Sequence, residues 1–130
     1  KNYKYTLENS YNLGLAENDD DPLLDAKIIT PYINLLYGIL TIKKGYKWDG
    51  PSGPTIDTKN FMRGSLVHDA LYQLIREKHL TQIPYRKIED KILKKICLQD
   101  GMSGFRANYI YKSVRRFGAK AVESDFLEAP

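Results

Sequence analysis

Four side chains in this 130-residue chain have the types and spacing for hydrolytic chemistry: His68, Asp69, Tyr72 and Asp90. A carboxylate bonded to one nitrogen of an imidazole fixes its tautomer. The other nitrogen is then left to take a proton near neutral pH. With His68 as that imidazole and Asp90 as its partner, Tyr72 stands one helical turn beyond His68, where its hydroxyl can reach the same carboxylate. No activated serine or cysteine accompanies the set, so water is the natural nucleophile. Asp69 points about 100° away from His68 around a helix. There it can face the Trp48–Pro54 loop and offer two oxygens to a cation. Carbonyl oxygens and a carboxylate are hard ligands, which suit Ca²⁺ and suit zinc poorly. A cation so held could polarise an ester carbonyl while His68 activates water.

These residues need two helices side by side. From Asp57 or Thr58, either a plausible N-cap, Phe61, Gly64, Ser65, His68, Tyr72 and Ile75 recur at three- and four-residue steps, predicting a helix that fades near Lys78 to Leu80. Pro84 reads as the N1 proline of a second helix, with Tyr85, Ile88, Ile92, Leu93 and Ile96 as its apolar stripe and Gly101 as its stop. If the two form an antiparallel hairpin turning near residues 79–83, His68 lies eleven residues before position 79 and Asp90 eleven after it. The two then stand level across axes about 8–10 Å apart. A third helix is predicted from Ser103 to Phe117, closed by Gly118. Its inward residues are Phe105, Tyr109, Ile110 and Val114, and Arg106, Lys112, Arg115 and Arg116 keep it basic.

Ahead of the helices the chain reads as β structure and loop. Tyr3 to Leu7 alternates aromatic and polar residues, Ala26 to Thr30 is a short strand, and Ile33 to Lys43 is β-branched and aromatic with a bend at Gly38. The acidic run Glu17 to Asp21 before Pro22 is an exposed turn, because clustered carboxylates repel. Trp48 to Pro54 holds two Gly and two Pro and is a tight, irregular loop. The expectation is a single α+β domain. Residues 1–44 form a small antiparallel β region, 45–118 the Gly/Pro loop and three-helix candidate-site region, and 119–130 an acidic tail.

At 42% hydrophobic and 28% charged, the composition supports a core and argues against wholesale disorder. Cys97 is the single cysteine, which forbids an internal disulfide and reads as a small buried hydrophobe. No stretch reaches 18 apolar residues, so no transmembrane segment is expected, and no charged-then-apolar signal segment follows Lys1. Residues 45–130 carry fifteen Lys/Arg against ten acids, a bias that suits a phospholipid surface or nucleic acid. Nucleic acid is the weaker choice, since Phe105 and Tyr109 read as the inward face of the third helix rather than as stacking platforms. A metal-dependent phosphohydrolase would need histidines beyond His68 and His79.

His68-Asp69-Ala70-Leu71-Tyr72 resembles the His-Asp-x-x-Tyr helix signature of the phospholipase A2 superfamily. The closer likeness is to its compact, cysteine-free version in parvoviral capsid proteins. Gly45-Tyr46-Lys47-Trp48-Asp49-Gly50-Pro51-Ser52-Gly53 is similar to the segment that precedes that signature, with an extra Ser between Pro51 and Gly53. Asp49 to Pro54 and Val67 to Tyr72 also resemble a phage and prophage family of small proteins. The resemblance implies His68 as general base on water, Asp90 as its orienting partner and Tyr72 as support. It implies Ca²⁺ held by Asp69 with carbonyls near Trp48, Gly50 and Ser52, a phospholipid sn-2 ester as substrate, and a setting in the virion or infected host cell. Two other roles fit the same pattern: a non-catalytic virion or assembly component among viral structural proteins, and a hydrolase of another cell-envelope bond.

Overall fold

A computed structural model describes residues 3–50 and 59–123, and divides the chain into two compact units, 1–49 and 50–130. In the first, short runs of β-branched and leucine residues alternate buried and outward positions, as strands with one covered face must. Strands β1 (Tyr5–Thr6), β2 (Tyr11–Gly14), β3 (Lys27–Ile29), β4 (Ile33–Leu36), β5 (Ile39–Ile42) and β6 (Lys47–Trp48) form two antiparallel sheets, ordered β2-β5-β4-β3 and β1-β6. Leu35 opposes Leu40 and Ile33 opposes Ile42, all four fully buried. The β4–β5 connection is the two-residue turn Tyr37-Gly38, with φ of 50° and 82°, the positive values that a tight right-twisted hairpin requires. Asp21 caps a 3₁₀ turn, Pro22–Asp25, by accepting from the Leu23 N–H at 2.9 Å, so the acidic run ends in a specific cap. β2 and β6 were not legible as strands: β2 ends in glycine and β6 is two residues long. Because β6 pairs with β1, the β-rich unit extends to Asp49, beyond the expected limit at residue 44.

The second unit is helical: α1 (Lys59–Arg76), α2 (Gln82–Gln99) and α3 (Gly104–Ala121). Ile83 is non-helical at φ −107° and ψ 123°, so regular α2 geometry begins at Pro84, the N1 position expected of it. α1 is the most deeply buried helix, with twelve buried residues that include His68 and Tyr72. Gly64 lets α2 approach α1 closely: a Cβ there would lie 3.0 Å from both Cys97 Sγ and Leu93 Cδ1. Phe61, Leu93, Cys97, Met102, Ala107 and Ile110 form one buried cluster across the three helices. Arg63 clasps Asp100 with bonds of 2.9–3.2 Å, fixing α1 to the end of α2.

α3 departs from its expected form at two points. It runs to Ala121, with Ser103 as N-cap accepting from the Arg106 N–H at 3.2 Å, so Gly118 is interior rather than terminal and the tail begins later than residue 119. Its inward residues are Ala107, Ile110 and Gly118, with Val114 partly buried; Phe105 and Tyr109 face outward, 89% and 58% exposed. Close packing selects small residues for the inward positions of α3 and turns the larger aromatics out.

α1 and α2 end in the same hydrogen-bond pattern. Past α2, Met102 N–H donates to Cys97 O and Gly101 N–H to Leu98 O, with Gly101 at φ 97°. Past α1, His79 N–H donates to Leu74 O and Lys78 N–H to Ile75 O, with Lys78 at φ 68°. Glycine is the usual residue at that left-handed position, where a Cβ is strained. Lys78→Gly is therefore expected to stabilise the protein by about 1 kcal/mol, read from urea unfolding; an unchanged or lower midpoint would contradict the strain at Lys78.

Candidate active site

α1 carries His68 and Tyr72 one turn apart on one face, their ring centroids 4.0 Å from each other. Opposite them on α2 is Asp90, with no exposed surface. His68 Nε2 lies 2.7 Å from Asp90 Oδ1, and the Tyr72 hydroxyl donates to the same oxygen at 2.5 Å. The 22-residue spacing thus becomes a direct contact, and the three residues expected to meet do so. With the carboxylate as acceptor, His68 Nε2 donates and Nδ1 keeps its lone pair. Burial, followed by the hydrogen bond to Asp90 and the charge there, pushes the Tyr72 phenol far above its ordinary range, so it remains an O–H donor. His68 itself is only 8% exposed.

Two arginines complete the cluster. Arg115 of α3 donates from Nη1 to Asp90 Oδ2 at 2.8 Å, and Arg86, one turn before Asp90 on α2, lies 3.5 Å from that oxygen. Arg86 also donates to the carbonyls of Val114 at 3.0 Å and Arg115 at 3.3 Å. Asp90 is thus met from all three helices. Arg86 could have been found as an i, i+4 partner of Asp90; Arg115 gave no signal beyond being one cation in a basic helix.

Gly118 makes this meeting possible. A Cβ added there would collide with the Tyr72 hydroxyl and lie 3.1 Å from Arg86 Nη1. Glu89, beside Asp90, is also fully buried, yet neither of its carboxyl oxygens has a hydrogen-bond partner among the described residues. Burial first, and the neighbouring Asp90 charge second, hold its pKa well above the ordinary 4.5. Cys97 is fully buried, and burial pushes its thiol up to about 11, which agrees with an inert core cysteine.

The expected cation ligands are divided between the two units. Trp48 belongs to the β unit, where its ring packs 5.4 Å from Tyr5 and 6.4 Å from Tyr46. Gly50 and the half-buried Asp69 belong to the helical unit, and Ser52, with the rest of 51–58, lies outside the described residues. Among the described residues no three His, Cys, Asp or Glu side chains cluster to hold a metal. A carboxylate with backbone carbonyls would nonetheless be a hard-oxygen set of the kind Ca²⁺ takes. A recess of about 590 Å³ lined by Ile75, Arg76, Leu80, Thr81 and Val122 does not include His68 or Asp90. No helix of the described residues is long and apolar enough to cross a membrane.

Compared with protein-family models, curated proteins and solved structures, the chain matches none.

Two substitutions probe the cluster. Gly→Ala inside a helix normally gains about 0.8–1.0 kcal/mol, but Gly118→Ala is expected to cost about 1–3 kcal/mol, because Tyr72 and Arg86 must move; a gain in chemical denaturation would show the notch to be unnecessary. Glu89 supplies a pH signature. Between its unfolded value near 4.5 and its higher folded value, the folded state keeps a proton that the unfolded state has released. Stability therefore falls as pH rises there, by up to about 1.4 kcal/mol per pH unit. Glu89→Gln removes that slope, so its stability relative to wild type should climb as pH rises above the unfolded value near 4.5; parallel curves would place an ionised Glu89 in the folded protein.

Proposed function

We propose that this protein is a hydrolase that uses the His68–Asp90 pair to activate water against the ester of a phospholipid, in the manner of a phospholipase A2-like viral or phage enzyme. The observation that carries the reading is the 2.7 Å His68 Nε2–Asp90 Oδ1 contact, with the Tyr72 hydroxyl on the same oxygen. Nδ1 of His68 takes a proton from water as its oxygen forms a bond to the ester carbonyl carbon. On collapse the C–O bond to the glycerol oxygen breaks, and that oxygen takes the proton back from Nδ1, leaving a fatty acid and a lysophospholipid. Asp90 orients the ring and offsets the imidazolium charge, while Arg115 and Tyr72 keep Asp90 in place. Asp69, with loop carbonyls about Gly50 and Ser52, would hold Ca²⁺, whose chemistry when bound is to stabilise negative charge on the carbonyl oxygen.

A second reading is favoured by the two arginines on the far side of Asp90. With His68 and Tyr72 they tie all three helices to Asp90, as a purely structural hub would. On that reading the chain is a non-catalytic component of a virion, or of its assembly, built around the same helix pair.

Fatty-acid release from phospholipid vesicles with Ca²⁺ separates the two. The hydrolase reading expects release, a loss of about 10²–10⁴-fold in His68→Gln, and arrest by excess chelator. Full activity in chelator would remove the metal role. No release, with His68→Ala lowering only the melting temperature, would leave the structural reading; release from peptidoglycan instead of lipid would redirect the same dyad to another envelope bond.

A further inference from the structure

The outward surface of α2 and α3 is chemically one-sided. Between Gln82 and Ala121 the chain has ten Lys and Arg residues and three acids. Glu89 and Asp90 are fully buried, Asp90 pairing with Arg86 and Arg115, and Asp100 is clasped by Arg63, so none of the three acids stands free on the outer surface. α3 itself contains no acid. Among these cations stand aromatic side chains left in water: Phe105, Phe117 and Tyr109 are 89%, 69% and 58% exposed. At 100° per residue, Phe105, Lys112 and Arg116 point within about 20° of one direction, and Tyr109 and Lys120 fall within about 60° of it. This is the face turned away from Ala107, Ile110 and Gly118. Beside it, Lys91, Lys94, Lys95, Leu98 and Tyr111 line a groove of about 490 Å³ between α2 and α3, with the Lys94 ammonium 5.6 Å from the Tyr111 ring centre.

We propose that this face docks onto an anionic phospholipid bilayer, with α3 lying along the headgroup plane. Phe105 and Phe117 are about 18 Å apart along the axis and about 120° apart around it, so they flank the face diagonally, with Arg116, Tyr109 and Lys120 between them. Lysines and arginines between and beside them meet lipid phosphates, each favourable near a negative surface. Charge complementarity alone would also suit a nucleic-acid backbone. A duplex backbone, however, uses the cations and leaves two phenylalanines in water, whereas a bilayer takes both kinds of side chain. The inference extends the lipid reading above to a surface, and its test measures binding rather than hydrolysis.

The full chain is sedimented with vesicles of phosphatidylglycerol and phosphatidylcholine, or of phosphatidylcholine alone. Binding is expected to the anionic vesicles and to weaken with salt. Phe105→Ala/Phe117→Ala and Lys112→Glu/Arg116→Glu should each lose about tenfold or more in affinity, with unchanged circular dichroism because these positions are exposed. In Phe105→Trp, the emission added over wild type should shift to the blue on anionic vesicles. His68→Gln should bind like wild type, so binding without ester release keeps this face and removes the hydrolase reading. Ester release that is indifferent to both double variants does the reverse. Absence of binding to anionic vesicles, or binding that neither double variant weakens, overturns the proposal. So does DNA binding tighter than vesicle binding at the same salt and insensitive to the phenylalanines.

Discussion

Asp90 carries a charge with no exposed surface, and such an ion is tolerated only where hydrogen bonds and opposite charge replace lost water. The replacements come from every helix of the unit. His68 and Tyr72 reach it from α1, Arg86 from its own helix, and Arg115 from α3. Remove any one and the rest must satisfy a buried carboxylate with too few donors. Glu89, its neighbour, shows the other outcome. It is equally buried but, pointing about 100° away, has no donor among the described residues, and its pKa rises instead.

The same interactions give the site its chemical character. An imidazole whose Nε2 is occupied by a carboxylate has one basic nitrogen left, and the Tyr72 ring packed beside it at a tilt of 41° limits its freedom to turn. Gly118 supports this from a distance. Because it has no Cβ, α3 comes close enough for the Tyr72 hydroxyl, and Arg86 can lie on the carbonyls of Val114 and Arg115. The core of the helical unit and its candidate site are thus one structure, which explains why both a catalytic and a structural role can be argued from Asp90.

Burying the acids has a consequence outside. With Glu89 and Asp90 inside and Asp100 clasped by Arg63, the outer surface of α2 and α3 is left cationic. A net charge of +4 understates this, since the acids and bases of the whole chain are spatially separated. The exposed phenylalanines arise from the same packing. Small residues take the inward positions of α3, where close approach is needed, and its large aromatics are turned out.

The sequence by itself determined the α+β class, the succession of β region and three helices, the N1 proline, the stop at Gly101, and the meeting of His68, Tyr72 and Asp90. All of these are local or nearly so: period, caps, and the symmetry of a hairpin about its turn. It placed the end of α1 near Lys78 but did not reveal that Lys78 takes the left-handed form without glycine, nor did it reveal β2 and β6, which need partners to exist. It also misassigned Gly118 as a terminus and Phe105 and Tyr109 as core. Only the tertiary structure decided these, together with Arg115 on Asp90 and the burial of Glu89 away from any partner among the described residues. The physical reason is that a residue's face and its electrostatic partners depend on which helix lies across from it and how near it comes, and that distance is set jointly by glycines and side chains far apart in the chain.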